Sequence, residues 1–248
     1  MKIDAQGVYY RDLNNKIRAA VTAGAERIEL ANVNGQYFIG DGINRPVTIT
    51  VHGVPGNDLG AFMNGATIVV KENGQDNIGN TMNAGKVIVH GHAGDVLGYG
   101  MRGGKIHILK DVGYRVGIHM KSYHDNRPVL IAGGNAGDFF GEYMAGGVLI
   151  LLGMYSDNPD MAKHGFRFGT GMHGGVIYVR GAVDEGKLAR EVGVFELTEE
   201  DRKELEAYLK DYCKDFQLEL QEILKEKFVK ILPKSKRPYG NLYCAMPR

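Results

Sequence analysis

The sequence has few cysteines and no excess of charge of either sign, and each shortage excludes a class of protein. Cys213 and Cys244 are the only cysteines among 248 residues. Two thiols cannot form a disulfide framework or hold an iron–sulfur cluster by themselves, and reduced thiols are typical of a cytoplasmic protein. The net charge is +1, from 30 basic and 29 acidic residues. This balance favours neither a nucleic acid nor an acidic membrane surface as a partner.

Long apolar runs and catalytic motifs are missing as well. No run approaches the ~20 apolar residues that a membrane helix requires. The segment Met1–Asp4 has no apolar stretch of the kind found in a signal peptide. Nucleophile elbow, Walker loop, zinc motif and local calcium loop are all absent from the sequence. We therefore expect no catalytic residue, cofactor or metal on this chain.

Glycine, in contrast, is abundant and periodic. It occurs 36 times, about twice the usual ~7%, and one glycine series is followed three positions later by methionine. The interval between successive glycines is nineteen from Gly60 to Gly117, and the last two intervals are longer. Gly40 with Ile43 is an irregular first member. The regular members are Gly60/Met63, Gly79/Met82, Gly98/Met101, Gly117/Met120, Gly141/Met144 and Gly169/Met172.

Short apolar strands recur between these glycines. A repeat of this length with one clear strand is too short for a helix–strand pair, and it predicts one turn of a solenoid. The expected fold is an all-β core, a right-handed parallel β-helix (single-stranded solenoid) of about seven coils. Equivalent residues then stack about 4.8 Å apart. The predicted strands are Val47–Val51, Thr67–Val70, Val87–His90, Ile106–Leu109, Val129–Ala132, Leu149–Leu152 and Ile177–Arg180.

Composition separates an N-terminal segment from the repeats. Residues 1–27 contain a predicted short helix over 12–23. Asp12 is placed to cap its start and Gly24 to end it. Residues 28–181 form the predicted parallel β-helix.

Two insertions and a second change of composition mark the rest of the chain. The insertions are residues 122–128 and a segment within 154–165. Residues 182–248 are poorer in glycine and richer in charge, and they predict a helical C-terminal extension with a basic, extended tail. Its two predicted helices cover 199–210 and 215–228.

Strand residues alternate between the inside and the outside of a solenoid. In four strands the inward positions are apolar, namely Ile49/Val51, Ile68/Val70, Val87/Val89 and Ile106/Ile108. Several positions assigned to the outside are apolar too, which is unusual for a face exposed to water. We expect either the terminal helices or a partner protein to cover these candidate interface residues, which are Val69, Ile88, Leu130, Ile150 and Leu152.

A column of short polar residues stands three positions before the register glycines. It admits two interpretations: a carboxylate cleft, as in polysaccharide-cleaving β-helices, or turn residues whose side chains bond to nearby backbone. The carboxylates recur singly, which favours the turn interpretation. The column consists of Asn57, Asp76, Asp95 and Asp138.

Two further patterns have a metal-binding and a structural interpretation. His90 and His92 would share one face of a strand, but no third ligand is evident nearby in the sequence. The six register methionines could bind a soft metal such as Cu(I), although a stacked thioether column is more typical of a core.

The phrase Gly-Asp-x-x-Gly-x-x-Met-x-Gly-Gly-x-Ile at residues 94–106, with its counterpart at 137–149, resembles the GXGXG-motif β-helix family. That family includes the C-terminal domain of the glutamate synthase large subunit and a β-helix subunit of formylmethanofuran dehydrogenase. Residues 3–14, 32–40 and 228–233 resemble the flanks of the glutamate synthase domain.

This resemblance implies a non-catalytic role in glutamate biosynthesis from glutamine and 2-oxoglutarate. The chain would be a stand-alone subunit that holds glutaminase-type and FMN-binding glutamate synthase subunits in register along an ammonia tunnel. FMN and iron–sulfur clusters are then expected on a partner. A scaffold like the β-helix subunit of formylmethanofuran dehydrogenase is the first alternative. An independent carbohydrate-active enzyme using Asp76, Asp95 and Asp138 is the second, and a homo-oligomer stays open.

Overall fold

The middle of the chain winds into a stack of short parallel strands. The computed structural model describes residues 1–158 and 163–236, and these contain one eleven-stranded sheet. The predicted extended tail beyond residue 236, including Cys244, lies outside the described residues. Within the described part, no helix has both the length and the apolar character needed to cross a membrane.

Fourteen elements make up the described chain, together with a 3₁₀ turn at Glu185–Lys187. In order they are β1 Lys2–Asp4, α1 Tyr10–Thr22, β2 Arg27–Asn34, β3 Thr48–Val54, β4 Asn64–Val70, β5 Ala84–Val89, β6 Lys105–Ile108, β7 Val129–Ala132, β8 Ala145–Leu151, β9 Gly174–Arg180, β10 Val192–Glu196, α2 Glu199–Phe216, α3 Leu220–Leu224 and β11 Phe228–Pro233.

Each strand from β1 to β9 pairs in parallel with the next, which confirms a parallel β-solenoid. Six turns run from β3 to β9, and a wider, irregular turn from β2 precedes them. The register confirms the predicted repeat, because Ile49, Ile68, Val87 and Ile106 face one another at the constant interval of the glycine series. The step from Ile106 to Leu130 in β7 is longer, since the first insertion lies between them.

The interior is built from the predicted columns. The inward strand pairs are completely buried, and so are the six register methionines. All belong to one hydrophobic cluster, which confirms that the methionine column is core. Helix α1 covers the first coil with Leu13, Ile17 and Ala20. The buried methionines are Met63, Met82, Met101, Met120, Met144 and Met172.

Every turn has one corner built from three alternate residues with left-handed backbone. The register glycine is the middle residue, and φ lies between +51° and +79° at all of these positions. Successive left-handed residues of a corner donate their hydrogen bonds in opposite directions along the stack. Gly79 N–H donates to Leu59 O of the preceding turn (2.9 Å), whereas Asn77 N–H donates to Asp95 O of the following turn (2.9 Å). A corner therefore pairs with both neighbouring turns. The triplets are 38/40/42, 58/60/62, 77/79/81, 96/98/100, 115/117/119, 139/141/143 and 167/169/171.

The same geometry explains the spacing between glycine and methionine. Met82 N–H donates to Gly79 O at 3.1 Å, which closes a four-residue turn with Thr81 as its left-handed third residue. A left-handed third residue is typical of a type II turn. The chain then re-enters the interior at the methionine, and Ile43 takes that place after Gly40.

The C-terminal segment differs from the prediction. Helix α2 has a capping box at Thr198 and continues past the predicted end at residue 210 until Gln217, which is left-handed (φ +57°). The second predicted helix is wrong beyond α3: Phe228–Pro233 is strand β11, which pairs antiparallel with β9 and with β10. Asp12 also does not cap α1, since the helix begins before it and Asp12 lies in the first turn.

Two glycines with left-handed backbone offer a matched test of the coil stacking. A Cβ at Gly85 (φ +100°) would overlap the carbonyl oxygen of Ala66 on the neighbouring strand, whereas Gly24 (φ +89°) has open space around it. We expect Gly24→Ala to lower the free energy of unfolding by about 1 kcal/mol, the cost of left-handed backbone. Gly85→Ala should cost about 2–3 kcal/mol because a ladder carbonyl must also move. Urea unfolding followed by circular dichroism measures both, and equal losses would contradict the stacking.

Candidate interaction surfaces

The apolar outer face of the last coils is covered by the chain itself. Ile150 and Leu152 are completely buried, and they pack in a second hydrophobic cluster with Leu205, Leu209 and Tyr212 of α2. The expectation of a partner interface at these two positions is therefore wrong. The other explanation considered, coverage by a terminal helix, holds there.

The remaining candidate interface residues fall into three environments. Leu130 faces the interior, in register with Ile106 and Leu149, so its outward assignment is wrong. Leu130 stands eleven positions before Gly141, and this spacing places strand residues of the earlier coils inside. The same spacing therefore gives the correct inward position after the first insertion. Ile88 is only 7% exposed. Val69 is half-buried and keeps part of its surface free within the described structure.

Charged side chains fasten α2 to the outer face of β5 and β6. Lys86 Nζ lies 2.8 Å from Asp211 and 2.6 Å from Asp215, and Lys105 Nζ lies 2.6 Å from Asp211. His107 Nδ1 lies 2.6 Å from Asp215, and the histidine is only 1% exposed. We call these five residues the ionic latch. Lysines stacked on adjacent strands would repel each other, and the two helix carboxylates neutralise them.

The pKa values of the latch make its strength depend on pH. Burial alone would raise the pKa of Asp211, but hydrogen bonds from Lys105 and Lys86 outweigh burial and hold this pKa at about 2. Asp215 has a lowered pKa in the same way, because hydrogen bonds from His107 and Lys86 outweigh burial. Burial lowers the pKa of His107 despite its bond to Asp215.

We expect the chain to lose stability in two stages as pH falls. A lowered folded pKa means that the unfolded chain takes up protons first. The contribution of His107 is then lost below about 6.5, and that of Asp211 is lost between about 4 and 2. For Asp211 the loss is about 1–2 kcal/mol after solvent screening. Thermal melts from pH 7 to pH 2 should show both stages, and Asp211→Asn should weaken the acidic one. An unchanged acidic stage in that variant would contradict this role.

The aspartate column serves the backbone of the solenoid. Asp76 Oδ1 accepts the N–H of Asp95, Asp95 Oδ1 accepts that of Tyr114, and Asp138 Oδ1 accepts that of Phe166, each at 2.8 Å. Each carboxylate thus ties one coil to the next. This geometry matches the turn interpretation and leaves each of these Oδ1 atoms engaged, so it gives no support to a carboxylate cleft.

The two neighbouring histidines have separate roles. His92 Nε2 lies 2.9 Å from Asp157, and its Nδ1 lies 3.5 Å from Asp111, so the ring fastens the second insertion to the solenoid. His90 instead makes an edge contact with Phe216 of α2, with ring centroids 5.2 Å apart. Among the described residues, no three His, Cys, Asp or Glu side chains are grouped as a metal site would require.

Exposed and half-buried aromatic and cationic side chains gather on the glycine corners of the later coils, a feature that the sequence reasoning missed. His119 stacks on Tyr143 with centroids 5.2 Å apart, and Tyr99 meets the edge of His119 at 5.8 Å. In a second row, Arg115 and Arg167 lie 4.6 and 5.9 Å from the ring centroid of Phe139. We call this set the corner patch: Tyr99, Arg115, His119, Phe139, Tyr143 and Arg167.

Comparison with known families accounts for the corner geometry. The family described as "GXGXG motif" matches residues 9–234. The chain belongs to the GXGXG motif family. The alternate glycines of the GXGXG pattern have the spacing of the three left-handed residues at each corner. In this GXGXG chain the middle residue is always glycine, whereas the outer two are mostly larger residues.

One relative is similar over nearly its full length. The GXGXG chain is 50% identical to "Uncharacterized protein MJ1350" of Methanocaldococcus jannaschii, and the match covers 97% of this chain and 95% of the relative. Among solved structures, it resembles a chain of the formyltransferase/hydrolase complex from Methylorubrum extorquens in complex with methylofuran. The TM-score is 0.63 with 20% identity, over 82% of this chain and 71% of the other. At this identity the likeness shows a shared fold.

Proposed function

We propose that this chain is a non-catalytic scaffold subunit that holds the other subunits of an enzyme complex at a fixed separation. The observation that carries the proposal is the unbroken parallel ladder from β1 to β9. Six turns of about 4.8 Å each give a spacer about 29 Å long from β3 to β9. Every coil is bonded to its neighbours, so the spacer is stiff, and stiffness is what positioning two sites requires.

The use of polar side chains supports this role. Asp95 and Asp138 bond to backbone, Asp211 and Asp215 fasten α2, and His92 fastens an insertion. Aspartate and histidine are residue types that often take part in catalysis, and here these side chains stabilise the fold. A scaffold needs such bonds, and it needs surfaces that recognise other proteins.

Two kinds of complex are candidates, and the comparison with solved structures favours the first. The neighbour of known structure belongs to a formyltransferase/hydrolase complex. A scaffold in an assembly of that kind, like the β-helix subunit of formylmethanofuran dehydrogenase, is therefore our first candidate. Its partners would be formyl-transferring and hydrolytic subunits.

A glutamate synthase complex is the second candidate, and the flanking segments favour it. Residues 3–14, 32–40 and 228–233 resemble the flanks of the glutamate synthase β-helix domain. In that case the partners would be a glutaminase-type subunit and a subunit carrying FMN and iron–sulfur clusters, with this chain aligned along an ammonia tunnel.

Purification from the native cell tests the role and separates the candidates. A tagged chain should co-purify with defined subunits, identified by mass spectrometry. Formyltransferase- and hydrolase-like chains would support the first candidate, and glutaminase- and flavin-binding chains the second. The pure chain should have no glutaminase, synthase or formyl-hydrolase activity. Either such activity in the pure chain, or the absence of any stoichiometric partner, would contradict the scaffold role.

A further inference from the structure

The corner patch retains large side chains where the backbone favours glycine. Five of its six residues, all except Tyr99, have φ between +51° and +63°. This conformation is unfavourable for a non-glycine residue, because its Cβ comes too close to the following carbonyl oxygen. At the last position of the corner, which His119 and Tyr143 take, glycine stands in other coils at Gly100 and Gly171, so the corner closes without a side chain there. What the large residues present to the outside is therefore the feature that needs an explanation.

The chemistry of the patch is that of a protein-binding surface. Aromatic residues and arginine are enriched at the centres of protein interfaces, where they contribute most of the binding energy. Tyr99 is 41% exposed, and the neighbouring Phe166 is 58% exposed with Lys187 Nζ 5.2 Å from its ring centroid. Rows of partly exposed rings on a rigid corner lose little entropy when a partner covers them.

The charge of the patch indicates what its partner carries. Arg115 is paired with the buried carboxylate of Glu142. For Arg167 and Lys187, no carboxylate of the described residues lies within ion-pair distance. At one end of the patch, Arg167 and the adjacent Lys187 are thus two cations that lie on aromatic faces and are not neutralised by the described part of the chain.

We infer that the corner patch is the docking surface for a partner subunit whose contact region sets carboxylates among apolar side chains. The apolar groups cover the Tyr99–His119–Tyr143 row, and the carboxylates meet Arg167 and Lys187. This inference rests on the proposed scaffold function and deepens it, because it names the surface and the chemistry of the partner that the scaffold holds.

A protein fits this surface better than a nucleic acid does. The carboxylates of Asp138 and Glu142 both belong to the corner 139/141/143 of the patch, and the whole chain has a net charge of only +1. A polyanion following the corners would meet both negative charges at the corner 139/141/143, whereas a protein can place its own carboxylates only at the cationic end.

The test uses glycine substitutions, because they separate docking from folding. His119→Gly with Tyr143→Gly removes one row of the patch and relieves the left-handed backbone at both positions. We expect the melting temperature to stay within a few degrees of wild type, and partner recovery from native-cell extract to fall at least tenfold. Thr81→Gly is the matched control, since Thr81 (φ +53°) is the corresponding corner residue of an earlier coil outside the patch. It should leave recovery unchanged.

A chemical arm tests the nature of the partner. A zero-length carbodiimide cross-linker joins an amine to a carboxylate, so Lys187 should become linked to an aspartate or glutamate of the co-purified subunit, as identified by mass spectrometry. Arg167→Glu should reduce partner recovery at least tenfold. The inference would be overturned if Lys187 formed no cross-link to a carboxylate of the partner, or if nuclease treatment released the partner.

The outcomes distinguish this inference from the proposed function. If the wild-type chain recovers no partner, the scaffold function itself fails. If wild type recovers its partners and the His119→Gly, Tyr143→Gly variant recovers them equally well, the scaffold function stands and the docking surface lies elsewhere.

Discussion

Replacing Tyr212 by alanine should detach α2 from the solenoid and lower the free energy of unfolding by about 3–5 kcal/mol. The ring is completely buried, and its centroid lies 5.5 Å from that of His107 and 4.8 Å from that of Phe216. Its hydroxyl donates to Ile108 O at 3.1 Å. A Cβ at Gly133 would overlap that hydroxyl, so the sheet leaves room for it.

Tyr212→Phe is the matched control for this prediction. It keeps the ring and removes only the hydrogen bond, so it should cost about 1 kcal/mol. Urea unfolding gives the two free energies, and hydrogen exchange should show faster exchange across 199–216 in the alanine variant only. Dye binding should rise in the same variant, because Ile150 and Leu152 lose their cover. Similar costs for both variants would mean that the ring does not anchor α2.

The solenoid can be predicted because residues that pair between neighbouring coils are close together in the sequence. A strand residue and its counterpart one coil later are separated by a constant number of positions, so Ile49, Ile68 and Val87 identify one another without any knowledge of the fold. The glycine series does the same for the corners. The same spacing places Leu130 inside, because it stands eleven positions before Gly141, so its outward assignment departs from the rule of the earlier coils.

The packing of α2 on the outer face of the solenoid is harder to predict from the sequence. Leu205, Leu209, Tyr212 and Cys213 follow the i, i+4, i+7, i+8 pattern of a helix that packs on one side. That pattern predicts a buried face but not the surface that buries it. The predicted helix at the end of the chain is wrong because Leu220, Leu224 and Phe228 also fit a helical period. Pairing with β9 makes Phe228 part of a strand, and this contact depends on the tertiary structure.

The corner patch is beyond sequence reasoning for a conformational reason. Gly98-x-Gly100 and Gly169-x-Gly171 show the alternation, but nothing in the sequence assigns left-handed backbone to Arg115 or Tyr143. Large residues rarely adopt that conformation. Only the stacking of corners reveals that both are left-handed, and that Tyr143 takes the position that Gly100 and Gly171 fill in other coils.

Removing one whole coil should leave a folded solenoid that no longer supports the activity of the proposed complex. Deletion of residues 61–79 joins Gly60 to Asn80, and Met82 then follows Gly60 by three positions as before. Ile49 would face Val87 in place of Ile68, which faces both of them now. Because the latch and the corner patch lie after the deletion, α2 and the proposed docking surface keep their contacts. We expect circular dichroism to retain the strand signal.

Deletion of residues 64–73 is the control for this experiment. It removes β4 but leaves 28 positions between Ile49 and Val87 in place of 19, so the joined coil carries nine surplus positions. This variant should unfold at a lower urea concentration than the one-coil deletion. The one-coil deletion instead shortens the spacer by about 4.8 Å without changing its surface chemistry. Misplacement of reacting groups by about 1 Å can cost a hundredfold in rate, so the reconstituted complex should lose at least tenfold in activity. Full activity with the shortened chain would mean that this solenoid does not set the distance between its partners.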